Sequence, residues 1–150
     1  MIQKAVYSFY DKENPFKHWV DERQFLAVLT HSVHQSAKYF KKVQLVTDSK
    51  NAEYLKKLQL PFTSITTDLD ELEHYPKELW ALGKIKAYQI QEEPFIHFDN
   101  DAFLTKNLSK KTLEAEVIIQ SEEKNESPFD FFYSKIINNL NIDEVKITSN

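Results

Sequence analysis

Apolar positions along the chain switch repeatedly between short β-rich runs and helical spacing. Lys4 to Tyr10 (Lys-Ala-Val-Tyr-Ser-Phe-Tyr) is rich in β-branched and aromatic residues and stops at the polar Asp11-Lys12-Glu13-Asn14-Pro15, which predicts a first strand and its exit loop. From about His18 to Lys42, Trp19, Leu26, Leu29, Val33, Ala37 and Phe40 recur at spacings of three, four and seven, the period of one buried helix face. Val43 to Thr47 predicts a second strand, after which Asp48 or Ser49 is placed to cap the helix outlined by Ala52, Leu55 and Leu58. Pro61 ends that helical region, and Phe62 to Thr66 reads as a third strand leaving through the polar Thr67-Asp68-Leu69-Asp70-Glu71. Pro76 then opens a helix from about Lys77 to Gln91. Its apolar residues Leu79, Trp80, Leu82, Ile85, Tyr88 and Ile90 cover more than half of its circumference, so this helix is expected to be well buried.

Pro94 stops that helix, and Pro94 to Phe98 has the apolar and aromatic make-up of a strand buried on both faces. It ends abruptly in Asp99-Asn100-Asp101. Alternate residues of an extended chain point the same way, so Asp99 and Asp101 are expected to face one object while Asn100 faces elsewhere. Beyond them come Ala102 to Leu108, the polar Ser109-Lys110-Lys111-Thr112, and Ala115 to Gln120 as a fifth strand. A charged loop from Glu122 to Ser127 precedes a helix suggested by Pro128, Phe129, Phe132, Ile136, Ile137 and Leu140, and Asp143 to Asn150 is a polar tail. This alternation predicts an α/β fold over residues 1–150 as a single domain, a mostly parallel open sheet of about five strands with helices on both faces. The two acids then lie at the carboxyl edge, where open α/β sheets bind their ligands, and two hard oxygen donors there suit a divalent cation.

Composition narrows the chemistry. A chain of 150 residues that is 41% hydrophobic and 13% aromatic is large and apolar enough for one proper core. No run approaches ~20 apolar residues and no charged, then hydrophobic leader is visible, so neither a membrane span nor a signal peptide is expected. The absence of cysteine removes thiolate zinc sites and cysteine nucleophiles and agrees with a cytoplasmic location. A formal charge of -4 gives no overall basic field, so nucleic acid is not the expected partner, and an anionic substrate would need local lysines or a metal. Gly83 is the sole glycine; a glycine-rich phosphate cradle cannot be written with it.

Three stretches carry a resemblance: Val46-Thr47-Asp48, Trp80-Ala81-Leu82-Gly83-Lys84-Ile85-Lys86-Ala87, and Phe95-Ile96-His97-Phe98-Asp99-Asn100-Asp101-Ala102-Phe103-Leu104. Over roughly residues 1–120 the chain resembles the nucleotide-binding half of a GT-A-type glycosyltransferase with its DxD sugar-nucleotide motif. The resemblance implies that Asp99 and Asp101 bind a Mn or Mg ion bridging the diphosphate of a nucleotide sugar, whose sugar passes to a sugar, lipid or protein acceptor. It places Lys84 near the diphosphate or ribose, Tyr10 and Asp11 near the base and ribose, Asn100 within the motif, and Gln120 and Glu122 toward the sugar. The family usually has a further metal ligand, often histidine, and an acceptor-binding portion well downstream. The stretch after Asp101 is too short for that portion, so the expectation is either a shortened or fragmentary member of the family or one whose missing portion a partner supplies.

Each candidate also has a plainer explanation. Asp99 and Asp101 would serve as solvated acids at a strand exit, His97 as a hydrogen-bonded core histidine, and Lys84 as a snorkelling side chain. Asp48 is expected to be a helix cap. Trp80, Tyr88 and Phe95 are expected in the core, and Lys110-Lys111 and Glu122-Glu123 in solvated turns. Of the rival functions, a haloacid-dehalogenase-type phosphatase or phosphotransferase also uses Asp-x-Asp, but normally on its first strand and with a small residue where Phe103 stands. An EF-hand loop fails on spacing at Phe103 and Leu104. A non-catalytic nucleotide-sugar or protein-binding domain of the same half-fold is the alternative from a different class.

Overall fold

The computed structural model describes residues 2–10, 19–76, 79 and 81–119. Asp11, Gln120, Glu122 and the helix expected after Pro128 lie outside the described residues. Lys4–Phe9 (β1), Lys42–Thr47 (β2), Ser64–Thr66 (β3) and Phe95–Phe98 (β4) form one sheet in the order β3-β2-β1-β4, and every pairing is parallel. Glu22–Tyr39 (α1) and Ser49–Lys56 (α2) connect the first three strands. A 3-10 helix at Asp68–Leu72 and Leu82–Gln89 (α3) lie between β3 and β4, and Lys110–Leu113 (α4) follows.

The order explains how the layers are arranged. Crossovers between parallel strands are right-handed; the first two step outward from β1, while the third steps back across it, so the two sets of helices cover opposite faces. Packing follows that rule. Ala5, Tyr7 and Phe9 of β1, Val43 and Leu45 of β2 and Phe98 of β4 bury against Phe25, Leu29 and Val33 of α1 and Leu55 of α2. On the other face Val6 and Val46 pack on Leu69 and Leu72 of the 3-10 helix and Ala87 of α3. With both faces covered, β1 is apolar almost throughout, as a central parallel strand must be.

Element ends follow local chemistry. Asp21 caps α1 by accepting from the Gln24 N–H at 2.8 Å, so this helix begins later than the apolar spacing predicts. Asp48 caps α2 through the Asn51 N–H at 2.8 Å, as expected. The segment after β3, which reads as a polar loop, is the 3-10 helix, because Leu69 and Leu72 bury one side of it while its acids face water.

Two further expectations are corrected. Among the described residues the helix before β4 spans Leu82–Gln89, and its Ile85 and Tyr88 are 59% and 43% exposed. Its buried face is made by Gly83 and Ala87, small residues that bring the helix backbone close to the sheet. A Cβ built on Gly83 would stand 3.0 Å from the Tyr10 Cβ. Among the described residues the sheet has four strands rather than about five: residues 115–119 form no strand, and a β-rich run becomes a strand only where it finds a ladder partner. Met1–Glu116 is one compact unit; of a second, Val117–Asn150, the described residues 117–119 are exposed. Among the described residues no helix is long and apolar enough to cross a membrane.

Candidate functional site

Successive strands run from β1 through β2 to β3, and the chain then returns to lay β4 on the other side of β1. The crevice beyond the carboxyl ends of β1 and β4 is therefore the topological switch point, where open α/β sheets bind ligands. Tyr7 of β1 and Phe98 of β4 make the last register pair. Past it, the Ala102 N–H donates to the Asp99 carbonyl at 2.9 Å, closing a turn over Asp99-Asn100-Asp101-Ala102.

This turn corrects the extended geometry expected for the motif. With no ladder partner beyond Phe98, residues 99–101 no longer alternate across a strand. Asn100 is drawn inward, its Nδ2 donating to the Ser8 carbonyl of β1 at 3.4 Å, and its Oδ1 is buried without a hydrogen-bond partner among the described residues. Asp101 is exposed on the same turn. Asp99 is half exposed, and its Oδ1 lies 2.6 Å from the Nζ of Lys84 on α3. Lys84 therefore reaches the first acid of the motif instead of merely snorkelling.

His97 lies beneath this pair, as the core histidine expected at that position. Its side chain is 9% exposed, its Nε2 meets the Ser8 Oγ at 2.9 Å, and its ring sits edge-on to Tyr88 at 5.0 Å. Burial pushes the imidazole pKa down to about 4, a shift the Asp99 charge opposes and the Lys84 charge reinforces. The 3.9 Å approach of Nδ1 to Asp99 has ion-pair geometry only for a protonated ring, so near neutral pH it joins a neutral imidazole to the carboxylate. The Tyr88 phenol feels the same two charges: burial raises its pKa, Lys84 lowers it and Asp99 raises it.

From behind, α1 fixes the far end of the turn. The Ser32 hydroxyl donates to the Ala102 carbonyl at 2.5 Å, Phe103 meets the His31 ring edge at 5.1 Å, and Leu104 is buried in the α1 core. Tyr10, directly after β1, packs over Gly83 one residue before Lys84. Lys84, Asp99 and Asn100 thus come together around the crevice, with Tyr10 on its β1 side and Asp101 on the turn. Sequence reasoning missed Ser8, Tyr88 and Ser32 as parts of this site. Ser8 inside an otherwise apolar strand, and Ser32 and Ser36 on an apolar helix face, were the available signals.

The donor set is small. Among the described residues no group of three or more His, Cys, Asp or Glu side chains gathers. Magnesium, however, is commonly held by one or two carboxylates together with substrate phosphates, and two acids on one solvent-facing turn fit that mode. A family model of DUF6734, a family of unknown function, matches residues 3–148. The chain belongs to this family. No match is found among curated proteins or among solved structures. The stretch shared with the DUF6734 family takes in all four strands, α3 and the Asp99 turn.

Proposed function

We propose that this chain binds a nucleotide-diphospho-sugar at the β1/β4 crevice through a Mn or Mg ion on Asp99 and Asp101, as the donor-binding part of a glycosyltransferase. The observation that carries the reading is the position of the acidic turn, at the switch point of a doubly wound sheet and within reach of a lysine. Asp99 and Asp101 would hold the ion, Lys84 would meet the diphosphate, and Asn100 would brace the turn against β1. Tyr10 would line the side of base and ribose. Asp11 would share that side, and Gln120 and Glu122 would face the sugar, as the family resemblance implies. The ion, when bound, would supply Lewis-acid stabilisation of the negative charge that grows on the leaving diphosphate as the bond from sugar to phosphate oxygen breaks. The diphosphate would leave with the bonding pair, and the acceptor oxygen would form the new bond to the sugar and release its proton to solvent.

The test is thermal. Manganese with uridine or guanosine diphosphate at about a hundredfold excess over Kd should raise the melting temperature on the order of 5 °C. Asp101→Ala should abolish the rise while leaving the unliganded melt unchanged, because Asp101 is exposed. No shift with any nucleoside diphosphate plus metal contradicts the proposal. Binding without hydrolysis of a donor sugar or transfer to any acceptor would make the chain a binding module.

A further inference from the structure

Where the acidic turn ends, the chain runs without regular structure from Phe103 to Ser109 and then enters α4. The segment is fixed to α1 along its course: the Ser32 hydroxyl holds the Ala102 carbonyl at 2.5 Å, Leu104 is buried, and the Tyr39 hydroxyl donates to the Thr105 carbonyl at 3.4 Å. With its path set from behind, its outer side forms an open groove of about 480 Å³, lined by Phe103, Thr105, Lys106, Asn107, Ser109 and Thr112 among others. That volume is in the range of small-molecule sites.

The lining combines a placed aromatic face with hydrogen-bonding groups. Phe103 is 47% exposed, yet its ring is held against the His31 ring edge at 5.1 Å. The face of an aromatic ring is electron-rich and suits the polarised C–H bonds on one side of a pyranose. Around it stand the Thr105, Ser109 and Thr112 hydroxyls and the Asn107 amide. Among the described residues, the backbone N–H groups of residues 103–108 donate to no carbonyl of the chain, so they too face outward bonding. An apolar platform ringed by donors and acceptors matches a sugar ring, apolar on its faces and hydroxylated at its edges.

Charge narrows the kind of sugar. Residues 102–113 hold Lys106, Lys110 and Lys111 and no acid, and residues 23–47, which supply most of α1 behind them, hold Arg23, Lys38, Lys41 and Lys42 and again no acid. In a chain of net charge -4 these two stretches are a local basic region, which raises the concentration of anions at its surface. Lys42 pairs with Glu93 at 2.8 Å and Lys110 with Glu114 at 3.7 Å. Lys106 lines the groove and meets no carboxylate among the described residues.

We propose that the groove from Phe103 to Thr112 binds a saccharide carrying an anionic group, carboxylate or phosphate, with its ring on Phe103 and its anion at Lys106. Its role as the acceptor of the transferred sugar rests on the donor-binding reading, whereas the binding itself needs neither metal nor nucleotide.

Backbone amide shifts of the full chain test this, titrated without metal or nucleotide with methyl glucuronide, a hexose monophosphate, neutral methyl glucoside and inorganic phosphate. Both anionic sugars are expected to move the amides of residues 103–112, and to bind about fivefold more tightly than the glucoside, the scale of one exposed ion pair. Lys106→Gln is expected to remove that preference and Lys106→Arg to keep it. Phe103→Ala is expected to weaken all three sugars by up to about tenfold; both residues are exposed, and an unchanged circular dichroism spectrum confirms that each variant folds. Shifts centred outside residues 103–112, none with either anionic sugar, or a glucoside bound as tightly as the glucuronide would overturn the proposal. Inorganic phosphate moving the same amides as strongly as the hexose monophosphate would also overturn it, leaving an ion site only. If the anionic sugars bind but no nucleoside diphosphate with metal does, the groove stands and the donor reading falls, and with it the acceptor role.

Discussion

The Ser32 hydroxyl spends its only hydrogen on the Ala102 carbonyl, and that choice orders a buried chain of hydroxyls. Tyr7 must then donate to Ser32 across 2.9 Å, and Ser36 must donate to Tyr7 across 2.7 Å. Burial raises the Tyr7 phenol pKa while the two serine bonds lower it. All three side chains are fully buried, so removing one strands its partners. Ser32→Ala is expected to cost about 1–3 kcal/mol in urea unfolding, and to weaken the proposed nucleotide binding because the Asp99 turn loses its anchor at Ala102. An unchanged unfolding midpoint would remove this network from the account. Gly83 gives a second test at the same scale. Alanine normally favours a helix over glycine by up to about 1 kcal/mol, but its Cβ here meets Tyr10 at 3.0 Å, and overpacking costs about 1–3 kcal/mol. Gly83→Ala should therefore destabilise; stabilisation would show that α3 can lift off the sheet freely.

Between elements, the N-terminus of α2 is held twice. Asp48 caps it from within the chain, and Asp48→Ala should cost about 1 kcal/mol in the same assay. Asp70 of the 3-10 helix reaches across to accept from the Ser49 N–H at 2.8 Å and the Ser49 hydroxyl at 2.5 Å. Those bonds, the hydroxyl first, hold the Asp70 carboxyl below its ordinary 3.8. A carboxyl lowered in the folded state lends stability above its ordinary value and loses it as pH falls through the lowered one. Unfolding free energy measured from neutral pH downward should therefore fall less steeply below about pH 4 in Asp70→Asn than in wild type. Elements with a clean period were legible in the sequence: β1, β2, α1 and α2 lie close to where apolar spacing puts them, and Asp48 was identifiable as a cap. The packing of α3 was not, because a tally of apolar residues favours Ile85 and Tyr88, while contact is made by Gly83 and Ala87. Nor was the bend at Asp99, which depends on the β1–β4 ladder ending at the Tyr7–Phe98 pair, a non-local fact.

At the scale of the molecule, the strand order is what makes two acids a candidate site. Alternating strands and helices predict a parallel sheet, but many orders satisfy that pattern. Only the return of β4 to the far side of β1 sets Asp99 and Asn100 against Ser8 at a switch point, with α3 delivering Lys84 from the opposite layer to α1. The measurement that bears most directly on this account is paramagnetic broadening of backbone amide signals by manganese in the presence of uridine or guanosine diphosphate. Broadening centred on Asp99 to Ala102, Lys84 and the Ser8–Tyr10 exit of β1 is the predicted result. Broadening centred elsewhere, or unaltered by Asp101→Ala, would contradict it.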